Sequence, residues 1–297
     1  MRSGKARVVD LAVICGLASA LSYGAGDFFS QAAARALGLW RSSFYLYLFA
    51  FAVVSIWLVA QLGVGSVPHG SKAAWAACVI SGMVLLGGAV LFTQGLIRGS
   101  LAVVAPVTAS YGAISTVLAV LAGEPLTRQT LIGLALTILG ACIVAIPRPS
   151  STDEHPAHMG LGWAIGAAFA YGVGFWLQGT YAVPVLGPMV PVWAAYVTGF
   201  TVLGLLGIAA RQSFAWPNRA ALTPVVASSV FSVGGYVSLA VGLATRRTAI
   251  VIVLSSLTSA VTVLLARSLS DARLALHQWI AIGMLIAGLA IAHSGGA

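Results

Sequence analysis

Charge is what this chain has least of. Only 7% of its 297 residues are Asp, Glu, Lys or Arg, against about a quarter in soluble domains. With 60% of the residues hydrophobic, no soluble fold could hide that much apolar surface, so the solvent must be lipid. Cysteine is also scarce: Cys15, Cys78 and Cys142 lie in apolar runs with no paired spacing. That excludes a disulfide framework or a thiolate metal site and leaves three small buried hydrophobes. The five histidines, His69, His155, His158, His277 and His293, fall in loops or at span ends. None has the His-x-x-x-His or Glu-x-x-His spacing that would hold zinc. No Gly-x-Ser-x-Gly elbow, Walker A loop or HExxH helix occurs, so neither ATP-driven pumping nor hydrolysis has a visible basis, and no cofactor is expected. The 15 Lys and Arg exceed the 6 Asp and Glu by nine. They stand singly or in pairs between apolar runs, the pattern of loops at a membrane surface and not of a nucleic-acid partner.

Apolar runs fill most of the chain. Leu101 to Leu121 and Leu131 to Ile146 flank a polar break at Gly123-Glu124-Pro125-Leu126-Thr127-Arg128. Each run is long enough, at 1.5 Å per residue, to approach the roughly 30 Å hydrocarbon core of a bilayer. Pro125 lacks the N–H of an interior helical residue, so the first of these helices is expected to stop at the turn. Ten such spans are expected: 10–31, 43–62, 73–97, 101–121, 131–146, 161–182, 190–210, 221–244, 249–266 and 279–292. The one sizeable hydrophilic linker, Pro147 to His158, falls at the middle. Arg2, Lys5 and Arg7 ahead of an apolar run imitate a signal peptide. The repeat described next places that run in a helix whose counterpart is internal, so cleavage is not expected.

The two halves echo each other. Tyr23-Gly24-Ala25-Gly26 returns as Tyr171-Gly172-Val173-Gly174, 148 positions on. Gly87-Gly88 and Gly95-Leu96 return as Gly234-Gly235 and Gly242-Leu243, and Thr108 and Ser115 as Ser255 and Thr262, all 147 positions on. Gly140 matches Gly288 at 148. The organisation expected is a first five-helix repeat over 1–147, a linker over 148–159 and a second repeat over 160–297. Five is an odd number, so the second repeat enters the membrane from the opposite side. The expected fold is therefore an all-α membrane protein of ten transmembrane helices in two inverted five-helix repeats, an arrangement suited to alternating access.

The chain resembles the drug/metabolite transporter superfamily, specifically its ten-span EamA-type members. The resemblance rests on Gly123-Glu124-Pro125-Leu126-Thr127 with Gly133 and Gly140 beyond it, on Ala260 to Ala266 before the second turn, and on the spacing of the spans. The second copy departs from the first: Ser270-Asp271-Ala272-Arg273 stands where Gly-Glu-Pro would. The resemblance implies cytoplasmic termini, a central substrate cavity between the first four spans of each half, and export of small metabolites.

Asp27 is the one acid well inside a span, and a carboxylate in hydrocarbon needs a cavity or a partner. It reads as a proton carrier or a counter-charge for a substrate amine, or else as an interfacial residue paired with Arg35 or Arg41. Its repeat mate is Phe175, so no symmetric acid pair exists. Thr108, Tyr111 and Ser115 share one helix face, and Ser255, Thr258 and Thr262 repeat the spacing, so both stripes are candidate cavity walls. Gln94 and Gln178 are candidates for hydrogen-bonding a polar substrate or for interhelical contacts. Tyr23, Tyr171, Trp176 and Tyr236 lie nearest the repeated glycines. Tyr23, Tyr171 and Tyr236 join the candidate wall, while packing or interface anchoring is open to all four. Glu124 reads as a helix-end residue at the membrane surface.

The function expected is secondary transport of a small organic solute, most simply an amino acid or an amphipathic amine, out of the cell and with protons as the candidate coupling ion. The deep positions offer hydroxyls, amides, aromatic rings and one carboxylate, whereas every Lys and Arg lies at a span end or in a loop. A phosphorylated substrate would need a deep cation. The rivals are a channel-like facilitator and an intramembrane enzyme using Asp27. The expected setting is the inner membrane, as monomer or homodimer, with no metal and no nucleic acid. Seven Lys and Arg on one set of alternate loops against eight on the other leave orientation to the N-terminal cluster and the resemblance.

Overall fold

The structure is a computed structural model that describes residues 2–62, 70–99, 101–124, 126–144, 160–268, 280, 283–284, 287–288 and 291. Several expectations fall outside these residues: the linker 148–159, Pro125, Ser270 to Arg273, the five histidines and most of the tenth span. The side chain of Cys142 is likewise not described. Every regular element among the described residues is helical. In order they are α1 (Arg2–Leu62), α2 (Lys72–Arg98), α3 (Leu101–Ala109), α4 (Tyr111–Leu121), α5 (Arg128–Val144), α6 (Leu161–Leu177), α7 (Val183–Leu186), α8 (Met189–Ala209), α9 (Arg219–Leu243), α10 (Thr248–Ser255) and α11 (Thr258–Ser268). Four stretches are long and apolar enough to cross a membrane: Leu11–Ala60, Lys72–Arg98, Met189–Ala209 and Arg219–Leu243. Their outward side chains include Ile14, Ile56, Leu205 and Ile208, all exposed. A soluble protein would bury such residues; here lipid covers them.

Several boundaries differ from those expected. The first span runs past Gln31 to Gly38, because 32–37 is Ala-Ala-Ala-Arg-Ala-Leu, a run of strong helix formers. Gly38, at φ 72 and ψ 178, breaks α1 into two arms. Gly123, not Pro125, ends α4. At φ 83 it allows its own N–H to reach Val120 O at 3.0 Å and that of Glu124 to reach Ala119 O at 2.9 Å. These two bonds make a Schellman cap.

Two of the expected spans are discontinuous. The 101–121 run breaks at Ser110 and the 249–266 run at Ser256-Leu257. At each break the backbone tightens to bonds three residues apart, Ser110 N to Val107 O at 3.2 Å and Leu257 N to Leu254 O at 3.2 Å. A serine hydroxyl turns back to the carbonyl three residues earlier, Ser110 to Val107 at 2.6 Å and Ser256 to Val253 at 2.7 Å, a bond that bends helices. The sixth span holds a π-helical turn, Gln178–Ala182, just before Pro184 in α7. After it comes Gly187 at φ 75 and ψ 173, nearly the conformation of Gly38. The two glycines are 149 apart, although Tyr23 and Tyr171 ahead of them are 148 apart. The π turn holds the additional residue.

The halves pack reciprocally. A Cβ on Gly24 would stand 2.6 Å from Val261 Cβ, and one on its mate Gly172 would stand 2.8 Å from Ile114 Cβ, the mate of Val261. Gly88 is covered by the ring of Tyr171, and its mate Gly235 by the ring of Tyr23. Thr262 donates to Gly24 O at 3.3 Å and Ser115 to Gly172 O at 2.8 Å. Residue i of one half on residue j of the other, matched by the reverse, is the contact pattern of a twofold arrangement.

Candidate functional site

At the seam between the halves lies a cavity of about 130 Å³. The first arm of α1 sends in Tyr23, Asp27 and Ser30, at i, i+4 and i+7 on one helical face. The second arm sends in Ser43, Leu46 and Tyr47; α2 contributes Leu85, Ala89, Phe92 and Thr93. Ala105, Thr108, Ala109 and Tyr111 line it from either side of the Ser110 break. The second half supplies Tyr171, Phe175, Ala195, Tyr196, Ser232, Tyr236 and Thr258. Asp27 is the one charged residue of this lining. It makes no hydrogen bond or ion pair with any described residue. Arg35 is exposed and Arg41 donates to Ala215 O at 2.8 Å, so neither expected partner pairs with Asp27. Nor does a deep cation line the cavity. Arg98 lies over the ring of Trp163 at 4.9 Å, and Arg246 is exposed.

The wall is a chain of aromatic rings. Tyr47 meets Tyr196 at 5.7 Å, Tyr196 meets Tyr236 at 5.7 Å, Tyr236 meets Phe175 at 5.9 Å, and Phe175 stacks on Tyr171 at 5.9 Å. Such faces and edges suit apolar bulk and attract cations. Two buried hydroxyls on this wall, Ser43 Oγ and Thr108 Oγ1, have no hydrogen-bond partner.

The family now follows from the whole chain. A model of the EamA-like transporter family matches residues 10–146 and again 158–293. The chain belongs to the EamA-like transporter family. It is thus an integral membrane transporter of small molecules, in a family of transporters and not of enzymes. This EamA-like protein is also similar to a solved crystal structure, at 17% identity over 95% of this chain and 96% of that one with a TM-score of 0.72, which shows a shared fold. No curated protein matches it.

Of the residues singled out from sequence, Tyr23, Asp27, Thr108, Tyr111, Tyr171, Tyr236 and Thr258 meet at this cavity. The other five do not line it. Ser115 and Thr262 are fully buried against the carbonyls of Gly172 and Gly24, because those glycines bring the helices close enough to enclose a hydroxyl. Ser255 stands behind the wall, accepting from Tyr111 Oη at 3.0 Å and bonded to Ser19 Oγ at 2.8 Å. Gln178 also stands behind it, donating to Tyr236 Oη at 2.5 Å. Gln94 is half-buried near the end of α2, away from the lining.

Sequence reasoning missed Tyr47 and Tyr196. They are repeat mates at a spacing of 149, past the π turn, where a search at 147 or 148 passes them by. Outside the membrane spans, Glu124 accepts from the backbone N–H of Ala249 at 3.3 and 3.4 Å, at the start of α10. Burial raises its carboxyl above the usual range, opposed by that hydrogen bond and by the charge of Arg247.

Proposed function

We propose that the protein is a secondary transporter of small organic amines, either amphipathic monoamines or amino acids, working by alternating access and exporting its substrate. The observation that carries this reading is the unpaired Asp27 carboxylate in a ring-walled cavity that lacks a basic residue among its lining. An ammonium supplies the missing positive charge, aromatic faces add cation–π attraction, and a phosphate would meet no counter-charge there. A proton on Asp27 can replace the amine when the cavity is empty, which couples export to proton entry.

Unequal use of the two halves supports alternating access. Thr93, Ala105 and Thr108 line the cavity, whereas their mates Ala240, Ile252 and Ser255 do not. Exchanging the conformations of the two repeats would take the first set out of the cavity wall and bring the second into it, turning the cavity to the other face of the membrane. The topology that goes with this is ten spans in two inverted five-helix repeats, over 1–147 and 160–297, in the inner membrane with both termini cytoplasmic. A reporter fused after Ala297 tests the orientation; a periplasmic signal overturns it. Counterflow in liposomes tests the function. Amino acids or amphipathic amines are expected to compete for saturable uptake and sugar phosphates to have no effect. Saturable sugar phosphate uptake lost on replacing Arg98 or Arg246 would overturn the amine reading.

A further inference from the structure

The second half carries a polar pair that the first half lacks. Gln178, first residue of the π turn, is wholly buried, and its Nε2 reaches Tyr236 Oη at 2.5 Å and Pro191 O at 3.5 Å. Its repeat mate is Ser30, bonded to Ser228 Oγ at 2.5 Å, and the mate of Tyr236 is Ala89. The fold therefore closes the same place in its first half without an amide or a phenol. The amide is assigned with Nε2 toward Pro191 O at 3.5 Å; reversed, it would set Oε1 against that carbonyl oxygen and accept the phenol's proton instead. As it stands, Oε1 has no partner, a penalty for any buried polar atom. π turns concentrate where function demands local irregularity.

A phenol has one proton to give and lone pairs to receive. The amide N–H of Gln178 occupies a lone pair of Tyr236, and no described group accepts the phenol's own proton, while the side chain lines the cavity. Tyr111 is the opposite case. Its proton is committed to Ser255 Oγ at 3.0 Å, so it offers the cavity only lone pairs.

We propose that Gln178 is a positioning residue that sets the Tyr236 hydroxyl as a hydrogen-bond donor to the transported solute, so that the cavity prefers amines carrying an acceptor oxygen. This rests on the reading of the cavity as the amine site. The test uses a matched pair of amines differing by one atom: phenoxyethylamine, with an ether oxygen, and phenylpropylamine, with a methylene in its place. Counterflow in liposomes gives the KM of each amine for wild type, Gln178→Leu, Tyr236→Phe and the double variant. Wild type is expected to prefer the ether amine. Each single variant is expected to lose that preference by about three- to tenfold, the worth of one neutral hydrogen bond. The double variant is expected to lose no more, while the methylene amine keeps its wild-type KM within about twofold throughout.

An effect of Gln178→Leu on both amines alike would mark a purely structural role and overturn the inference. So would a preference lost in Tyr236→Phe but kept in Gln178→Leu. Tyr236→Phe keeps the ring and its packing, so it tests the donor even if Gln178→Leu fails to fold; an undiminished preference in that variant also overturns the inference. Transport of neither amine by wild type would overturn the amine reading itself, and this inference with it.

Discussion

The first half of the chain gives the cavity Asp27, Ser43, Thr93 and Thr108, where the second gives Phe175 and keeps Val192, Ala240 and Ser255 out of the lining. Between the halves, by contrast, the packing contacts are matched almost atom for atom: Gly24 on Val261 as Gly172 on Ile114, Tyr23 on Gly235 as Tyr171 on Gly88. Symmetry is kept where helices touch and in the tyrosine pairs Tyr23 and Tyr171, Tyr47 and Tyr196, and given up at Asp27, Ser43, Thr93 and Thr108. A mutation that acts through packing should therefore have a twin of similar size in the other half. One that acts through Asp27 or another unmatched polar group of the cavity should have none.

The largest break in that pairing is expected at Asp27. Asp27→Asn should cut amine counterflow by at least about 100-fold, the scale of removing one partner from a buried charge pair, and remove its pH dependence. Abundance and insertion should hold, since a charge leaves the hydrocarbon region. Phe175→Leu, at the mate, should leave counterflow within a few-fold of wild type. Normal, pH-responsive counterflow in Asp27→Asn would return this carboxylate to a structural role.

Packing glycines should behave as twins. Gly24→Ala and Gly172→Ala each force a Cβ against a branched side chain, at 2.6 and 2.8 Å, and against a backbone carbonyl at 3.1 Å. Each should cost about 1–3 kcal/mol, the range for overpacking, read as a lowered thermal midpoint in detergent. Alanine at 261 or 114 would keep the offending Cβ, so Val261→Gly should relieve the first and Ile114→Gly the second, each leaving the carbonyl contact at 3.1 Å. A large loss at one glycine with none at the other would show that the two seams are not equivalent.

Smaller twins are expected at Ser115→Ala and Thr262→Val, each removing one interhelical hydrogen bond worth about 0.6 kcal/mol on average. Ser115 should show the larger effect between helices, because its bond to Gly172 is 2.8 Å, whereas Thr262 shares its one proton between Gly24 O at 3.3 Å and Thr258 O, in its own helix, at 2.9 Å. Thermal midpoints of the two variants and their double test both size and additivity.

The smallest effect is set by Glu124, whose carboxyl is raised by burial above its ordinary 4.5. An acid with a raised folded pKa binds its proton more tightly folded than unfolded. Its contribution to stability is full below the unfolded value and is lost as pH rises through the folded one. Wild type should therefore lose a little stability as pH climbs from 4.5 through the weakly acidic range. Glu124→Gln should flatten that slope, which midpoints measured at a series of pH values would reveal.

Much of this architecture could be read from residue types and spacing. The duplicated Tyr-Gly-x-Gly and paired glycines mark the seam, because a close helix approach demands a residue without a side chain. Asp27 marks the cavity, because hydrocarbon tolerates a carboxylate poorly. What the spacing hid were local departures from the α-helical period. The Ser110 and Ser256-Leu257 breaks come from hydroxyls bonding back to the backbone, which serine frequencies alone do not reveal. By spacing, the stripe Thr108, Tyr111, Ser115 is one wall. The structure divides it, because Gly172 brings α6 onto the Ser115 end.

The π turn at Gln178–Ala182 also governs rotation. A residue inserted into a regular α-helix turns everything beyond it by about 100° about the helix axis, enough to swing a lining side chain toward lipid. Because the wider turn takes up the insertion where it occurs, Gly187 still closes the helix as Gly38 does, and Tyr196 still faces Tyr47 across the seam at 5.7 Å. The second copy could thus gain a residue, and with it a local bulge, without disturbing the orientation of the segments that follow.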